Sequence, residues 1–298
     1  MAAAIRLAKS GKAGASVVET IGTSACTMRK DHSPRQLFDW NADWYLQRYP
    51  DVGEAHNRGD WPDPWLHYLW FGRLEGRFPS ASAEEKARHG EPWQQVKVGD
   101  FSVPLNWPVT GEPSKTFLER LIGGFFAKYM AGRVILDIGY KGTGHVDPVP
   151  ILPHAIGVDL DYPGYDGVRL PFDDGAVDAI FASHVLEHIP DYRSVIGDWF
   201  RTLRVGGFIV CVVPHHWLYE KKRNLPSRWN EDHKRFYTPA LLLREFEESL
   251  PQNGYRVRHL ADNDLGYLYE IGAEQHATGC YEIELVVEKI RAPAWDLS

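Results

Sequence analysis

The chain has 298 residues, 44% of them hydrophobic and 24% charged, with a formal net charge of −7. That length suits one large domain or a domain with an appendage, and the acidic balance excludes a general nucleic-acid binder, which needs a basic footprint. Three well-separated cysteines, Cys26, Cys211 and Cys280, exclude a disulfide framework or a zinc ribbon, and no apolar run has the length of a membrane span.

Residues 1–35 are rich in Ala, Gly, Ser and Thr and carry no acid before Glu19. They lack the continuous apolar stretch of a secretory signal and read as the disordered tail of a cytoplasmic protein. Residues 36–80 hold Trp40, Trp44, Trp61, Trp65 and Trp70 of the eleven tryptophans. Apolar residues three and four apart predict a small helical hairpin there, punctuated by Pro50 and the Pro62/Pro64 pair, with Gly72 and Gly76 as helix stops. Its aromatic density suits a private core, a docking face or a sugar-stacking platform. Residues 81–114 read as a linker with one strand in VKVGDFSVPL.

Beyond residue 115 helical and apolar segments alternate. KTFLERLIGGFFAKYMA has helical spacing, and strands are predicted near 134–138, 155–159, 178–183 and 207–213. Helices are predicted near 190–204 and 239–250, and two late strands near 255–261 and 281–289. This order implies an α/β fold: a doubly wound, Rossmann-like sheet over residues 115–298, with an antiparallel element at its end.

The informative stretch is VILDIGYKGTGHVDPVPILPHAIGVDLD. An apolar run ends in Asp137, a glycine loop follows with Gly139, Gly142 and Gly144, and a second apolar run ends in Asp159. Glycines let backbone amides approach a ligand closely, and a strand-terminal acid binds ribose hydroxyls. Only twelve residues separate Gly144 from Gly157, and they include Pro148, Pro150 and Pro153. The first crossover helix is therefore expected to be short, distorted or absent. Loop amides or Lys141 are then the candidates to hold an anionic ligand group in place of a helix terminus.

Four blocks in order, LDIGYKGTG, GVDLD, DGVRLPFDDGAVDAIFASHVLEHI and LRVGGFIVCVVPH, resemble the class I S-adenosylmethionine-dependent methyltransferases. YLQRYPDV with HYLWFGRLEGRFPS resembles a short module found beside such domains in bacterial polysaccharide-synthesis proteins. The resemblance implies S-adenosylmethionine as cofactor. It sets Asp137, Gly139, Gly142 and Gly144 around the methionine end, Asp159 on the ribose hydroxyls with Leu160 beside it, and Asp166 at the adenine amino group. Ser183 and His184, ending the fourth strand, fall beside the cofactor.

Methyl transfer to a hydroxyl calls for a base, and histidine suits that task near neutral pH. His215 is the first candidate, followed by His184 and His233. The loop PHHWLYEKKRNLPSRWNEDHKRFYTP interleaves aromatic and charged residues and reads as a substrate lid, with His216, Trp217, Tyr219, Arg228, Trp229 and Asp232 as acceptor contacts. The alternative for Asp232 and His233 is anchoring of that loop. Lys221, Lys222, Arg223 and Arg228 read as a solvated basic face.

The expected function is O-methylation of a sugar or polysaccharide-related acceptor, a small molecule or glycan, with no nucleic acid, no membrane span and no metal expected. The aromatic hairpin leaves docking open. Two alternatives stand beside it. One is a non-catalytic scaffold of the same fold in glycan assembly. The other is a zinc hydrolase through the H-x-x-E-H pattern of His184, Glu187 and His188.

Overall fold

A computed structural model describes residues 39–91, 95–142 and 147–295. The tail expected over residues 1–35 and the glycine at 144 lie outside the described residues.

A six-stranded sheet carries the molecule. Its strands are β3 (Ile135–Ile138), β4 (Ile156–Val158), β5 (Val177–Ser183), β6 (Leu203–Pro214), β7 (Tyr255–Asn263) and β8 (Glu282–Lys289), in the spatial order β4-β3-β5-β6-β8-β7. β3, β4, β5 and β6 pair in parallel, while β8 runs antiparallel to both β6 and β7. Alternate residues of each strand face opposite sides, and both sides are apolar, as a covered parallel sheet requires. Ile135, Phe181, Val210, Val212 and Val286 face one core; Leu136, Ile180, Ile209, Cys211, Val213 and Val287 face the other.

The second core is closed by the helices Tyr192–Thr202 and Pro239–Ser249. Each begins at a side-chain cap, Asp191 accepting from Ser194 N and Thr238 from Leu241 N. The first core is closed by the helices Pro113–Ile122 and Phe125–Tyr129 and by the aromatic segment before them. The predicted single helix over 115–131 is broken at Gly123–Gly124, where Gly124 takes φ +79.

The aromatic segment folds as Ala42–Arg48, Pro50–Arg58 and Pro64–His67, the last running into a π-helical turn at Tyr68–Gly72, with Ala81–Arg88 after it. Pro50 and Pro64 open helices rather than interrupt them, because the first helical position needs no N–H. Gly72 lies inside the π turn, pressed on the Tyr45 hydroxyl, where a Cβ would be 2.1 Å away. Tyr45, Trp65, Tyr68 and Leu69 share the buried cluster of Phe117, Phe126 and Phe181. Arg73, 1% exposed, donates to Leu69 O, Trp107 O and Ser114 O, so its buried charge is matched by carbonyls.

VKVGDFSVPL holds two strands rather than one. β1 (Gln95–Val98) and β2 (Phe101–Pro104) form an antiparallel hairpin turning at Gly99. No helix lies between β3 and β4 among the described residues. The chain there is instead held from the side: Trp107 Nε1 donates to Pro150 O (2.8 Å), and His154 stacks on Phe101 at 3.8 Å. No helix of the described residues is long and apolar enough to cross a membrane.

Candidate functional site

Parallel pairing sets three strand ends side by side. Ile138 pairs with Val158 and with Ala182, so Gly139, Asp159 and Ser183 fall in the next row. Gly139 has φ +72, and a Cβ on it would lie 2.4 Å from Val185 Cγ2. Only glycine lets this turn pass against the loop after β5. Gly142, at φ +57, is the last described residue of the glycine loop.

The Asp159 carboxylate accepts from Leu160 N (2.8 Å) and from Lys141 N (3.3 Å), which ties the glycine loop to the end of β4. Leu160 is 73% exposed, an apolar platform beside an acid. The exposed Asp166 carboxylate accepts from Val168 N and Arg169 N, and these bonds hold its pKa down. Lys141 pairs its ammonium with Asp161, and the amides of Gly139, Lys141 and Gly142 donate to Val158 O, Asp159 and Gly139 O. Tyr140, which no sequence signal singled out, lies over Gly157, where a Cβ would be 2.6 Å from its ring. An acid, an apolar face and a tight glycine turn at adjacent strand ends fit the adenosyl ligand that the resemblance implies.

Asp137 is buried and accepts from Ile151 N at 2.5 Å. Burial pushes its carboxyl up to about 7, the Ile151 amide opposing and the Asp159 charge adding. The folded value lies above the unfolded one, so the folded state holds this proton longer. The associated stability is complete below the ordinary aspartate value of 3.8 and is lost as pH rises through about 7. Asp137→Asn keeps the acceptor for Ile151 and cannot ionise. It is expected to flatten the fall in melting temperature between about pH 5 and 8. An unchanged slope would assign that fall to another group.

Past β5 the backbone turns sharply. His184 takes φ +56, a left-handed conformation costly for a bulky residue, and its N–H donates to Val212 O at 2.9 Å. Its Nε2 lies 3.3 Å from Glu282 Oε1 and its Nδ1 3.6 Å from Glu187 Oε1. Burial alone would lower the imidazole pKa, but Glu282, Glu187 and Glu112 outweigh it and the net shift is upward. Ser183, 8% exposed, has a hydroxyl without a hydrogen bond among the described residues.

Glu187 is fully buried, which drives its carboxyl up, and neither oxygen makes a hydrogen bond among the described residues. His188 Nδ1 meets Asp232 Oδ2 at 2.9 Å, and its Nε2 lies 3.9 Å from Glu187 Oε1. The His233 ring stands 4.9 Å from that of His188, with Nδ1 3.4 Å from Glu220 Oε1. Burial and the neighbouring His188 and His184 push His233 down to about 4. The zinc-peptidase reading of His184–Glu187–His188 needs both histidines on one helix face. Here His184 sits in the left-handed turn just after β5 and His188 ends the 3₁₀ turn Leu186–His188, so that geometry is absent.

His215 opens the short helix His216–Tyr219, and its Nδ1 accepts from Trp217 N at 3.2 Å. Its basic lone pair is therefore engaged in capping, its Nε2 lies 3.9 Å from Asp262, and burial lowers its pKa. The loop beyond is tied down rather than loose. Arg235 donates to Leu186 O, Ile189 O and Pro190 O, and buried Glu220 accepts from Ser227 and Arg228 N.

The predicted acceptor contacts divide. Trp217 is 51% exposed and stacks on His216 at 4.1 Å, and Asp232 faces solvent. Tyr219 and Trp229 turn inward against Tyr281 and His276, and Arg228 pairs with Glu274. Sequence reasoning missed Glu112, Glu220 and Glu282, whose carboxylates surround these histidines. Glu282 and Glu284, acids alternating with apolar residues in the buried first half of β8, carried the available signal.

The methyltransferase domain family profile matches residues 153–211, from the end of the connection after β3 into β6. A probable S-adenosylmethionine-dependent methyltransferase of Mycolicibacterium smegmatis is 28% identical over 66% of this chain and 84% of its own length. A demethylmenaquinone methyltransferase of Staphylococcus epidermidis is 38% identical over 26% of this chain, which spans only 28% of that relative. Among solved structures, a SAM-dependent methyltransferase of Archaeoglobus fulgidus aligns at 16% identity and TM-score 0.37, over 56% of this chain and 91% of that one. The profile match includes Asp159, Asp166 and His184, and together with the Mycolicibacterium relative it supports a class I methyltransferase that uses S-adenosylmethionine.

Proposed function

We propose that the enzyme methylates a hydroxyl oxygen of a sugar or polysaccharide-related acceptor. The observation that carries the reading is the group of imidazoles and buried carboxylates, His184, Glu187, His188 and His233, at the end of β5 beside the glycine turn. An oxygen nucleophile needs proton removal, and such a group meets that need. The aromatic pair His216 and Trp217, partly open to solvent, suits the apolar face of a sugar ring. The resemblance of residues 36–80 to a module of polysaccharide-synthesis proteins points the same way.

When bound, the cofactor supplies the methyl group and the leaving group. In this reading Asp159 grips the ribose hydroxyls, with Leu160 and Asp166 at the adenine. Asp137, Ser183 and the loop of Gly139 and Gly142 enclose the methionine end. The anchored loop from His215 to Tyr237 excludes water and orients the acceptor. His184 takes the hydroxyl proton in preference to His215, whose Nδ1 is engaged by Trp217 N.

The test is incubation with labelled S-adenosylmethionine and separate pools of nucleotide sugars, glycans and small phenolics, followed by mass spectrometry. A methyl ether on a sugar hydroxyl is the expected product. Methylation confined to phenolics or to carbon would end the sugar reading. His215→Ala is expected to keep more than about a tenth of the wild-type rate, whereas loss of a general base costs at least a hundredfold.

A further inference from the structure

We propose that Glu187, His188 and His233 form a binding site for one divalent transition-metal ion. One donor atom from each lies within 4.8 Å of the others. A bound ion with ligands at about 2.0–2.2 Å requires the three to draw in by roughly 1 Å. His188, on the solvent side of the group, has room to do so; its side chain is 28% exposed.

Three features single this group out. Glu187 is fully buried, yet both of its oxygens lack a hydrogen bond among the described residues. Its nearest basic atoms, His184 Nδ1 at 3.6 Å and His188 Nε2 at 3.9 Å, stand beyond hydrogen-bond reach, and a cation between it and the imidazoles of His188 and His233 supplies a closer partner. The second feature is that each histidine has a carboxylate on its far nitrogen: Asp232 lies 2.9 Å from His188 Nδ1, and Glu220 lies 3.4 Å from His233 Nδ1. Metal-bound imidazoles characteristically carry such a partner, which fixes the ring and its tautomer. The third is rigidity. Lys234 N donates to Glu187 O at 2.8 Å, and Glu220 is itself held by Ser227 and Arg228 N.

Two nitrogens and one carboxylate select zinc, manganese, iron, cobalt or nickel over magnesium or calcium, which prefer all-oxygen sets. Binding itself does not depend on the acceptor. Its chemical use rests on the proposed O-methylation, where a cation beside His184 lowers the pKa of an acceptor hydroxyl.

The test is isothermal titration of chelator-treated full-length protein with zinc, manganese or magnesium chloride, and in parallel with S-adenosylhomocysteine. Zinc or manganese is expected to bind at one equivalent. His233→Ala and Glu187→Gln are expected to abolish this, with S-adenosylhomocysteine affinity within about threefold. Both residues are buried, so Asp232→Asn, at a solvent-facing position, is the safeguard against misfolding. It should weaken the metal by about 10–100-fold. No saturable binding of zinc or manganese, or binding unchanged in all three variants, overturns the site. Metal binding without S-adenosylhomocysteine binding supports the site and counts against the cofactor assignments instead.

Discussion

Replacing Arg120 with alanine is expected to destabilise the fold by about 3–5 kcal/mol, the range for removing one partner of a buried ion group. Arg120, 4% exposed, donates to Glu282 Oε2 at 2.8 Å and to Glu284 Oε1 at 2.7 Å. Glu284 also accepts from Asn263 and meets His259. Burial alone would raise the Glu284 pKa, but Arg120 and these hydrogen bonds hold it well below the usual range. A depressed carboxyl contributes stability present above its unfolded pKa and lost as pH falls through the folded one. Without Arg120, the two buried carboxylates keep only the imidazoles of His184 and His259 as basic partners among the described residues. Urea denaturation reads the effect directly. A loss below about 1 kcal/mol would mean that water or proton uptake replaces the guanidinium. Because Glu282 also meets His184, the same variant should disturb the site while leaving the Asp159 region intact.

Asp159→Ala is expected to lower affinity for S-adenosylhomocysteine by on the order of a hundredfold or more, since each hydrogen bond to a charged acceptor contributes roughly 1.5–3 kcal/mol. The effect on folding should be much smaller. Asp159 is only partly buried, and its present partners are the amides of Leu160 and Lys141. Calorimetry separates the two quantities, and Asp159→Asn should fall between alanine and wild type. Unchanged affinity would remove Asp159 from the ribose and with it the proposed orientation of the ligand.

Much of this sheet was legible because strand residues reveal themselves by what they face. Val134 to Leu136 and Phe208 to Val213 are continuous apolar runs, as strands covered on both sides must be. Pro148, Pro150 and Pro153 announced the missing helix, since proline removes donors that a helix needs. The aromatic segment was less legible. Prolines that open helices and prolines that end them look alike until the chain is folded, so Pro50 and Pro64 were read as breaks.

The residues proposed for the cofactor, Gly139, Asp159 and Asp166, lie on one stretch of chain, so that proposal could be made without tertiary contacts. The imidazole–carboxylate group was not legible in this way. His184, Glu187 and His188 are neighbours in sequence, but Glu220, His233 and Glu282 reach them only through tertiary contacts, and buried charge has no periodicity. His215 drew attention by standing directly after a strand, and the structure uses it to start a helix.

The helix-free connection between β3 and β4 bears on how the protein is made. A helix in that place would form from its own residues within microseconds. The observed loop instead takes its shape from Phe101 and Trp107, which are synthesised earlier and must already be seated. Closure across such a sequence separation carries an entropic cost before any contact rewards it. The edge of the sheet at β4 should thus be among the last parts to order during refolding, and a ligand gripping Asp159 would speed its consolidation only after the β1–β2 hairpin has docked.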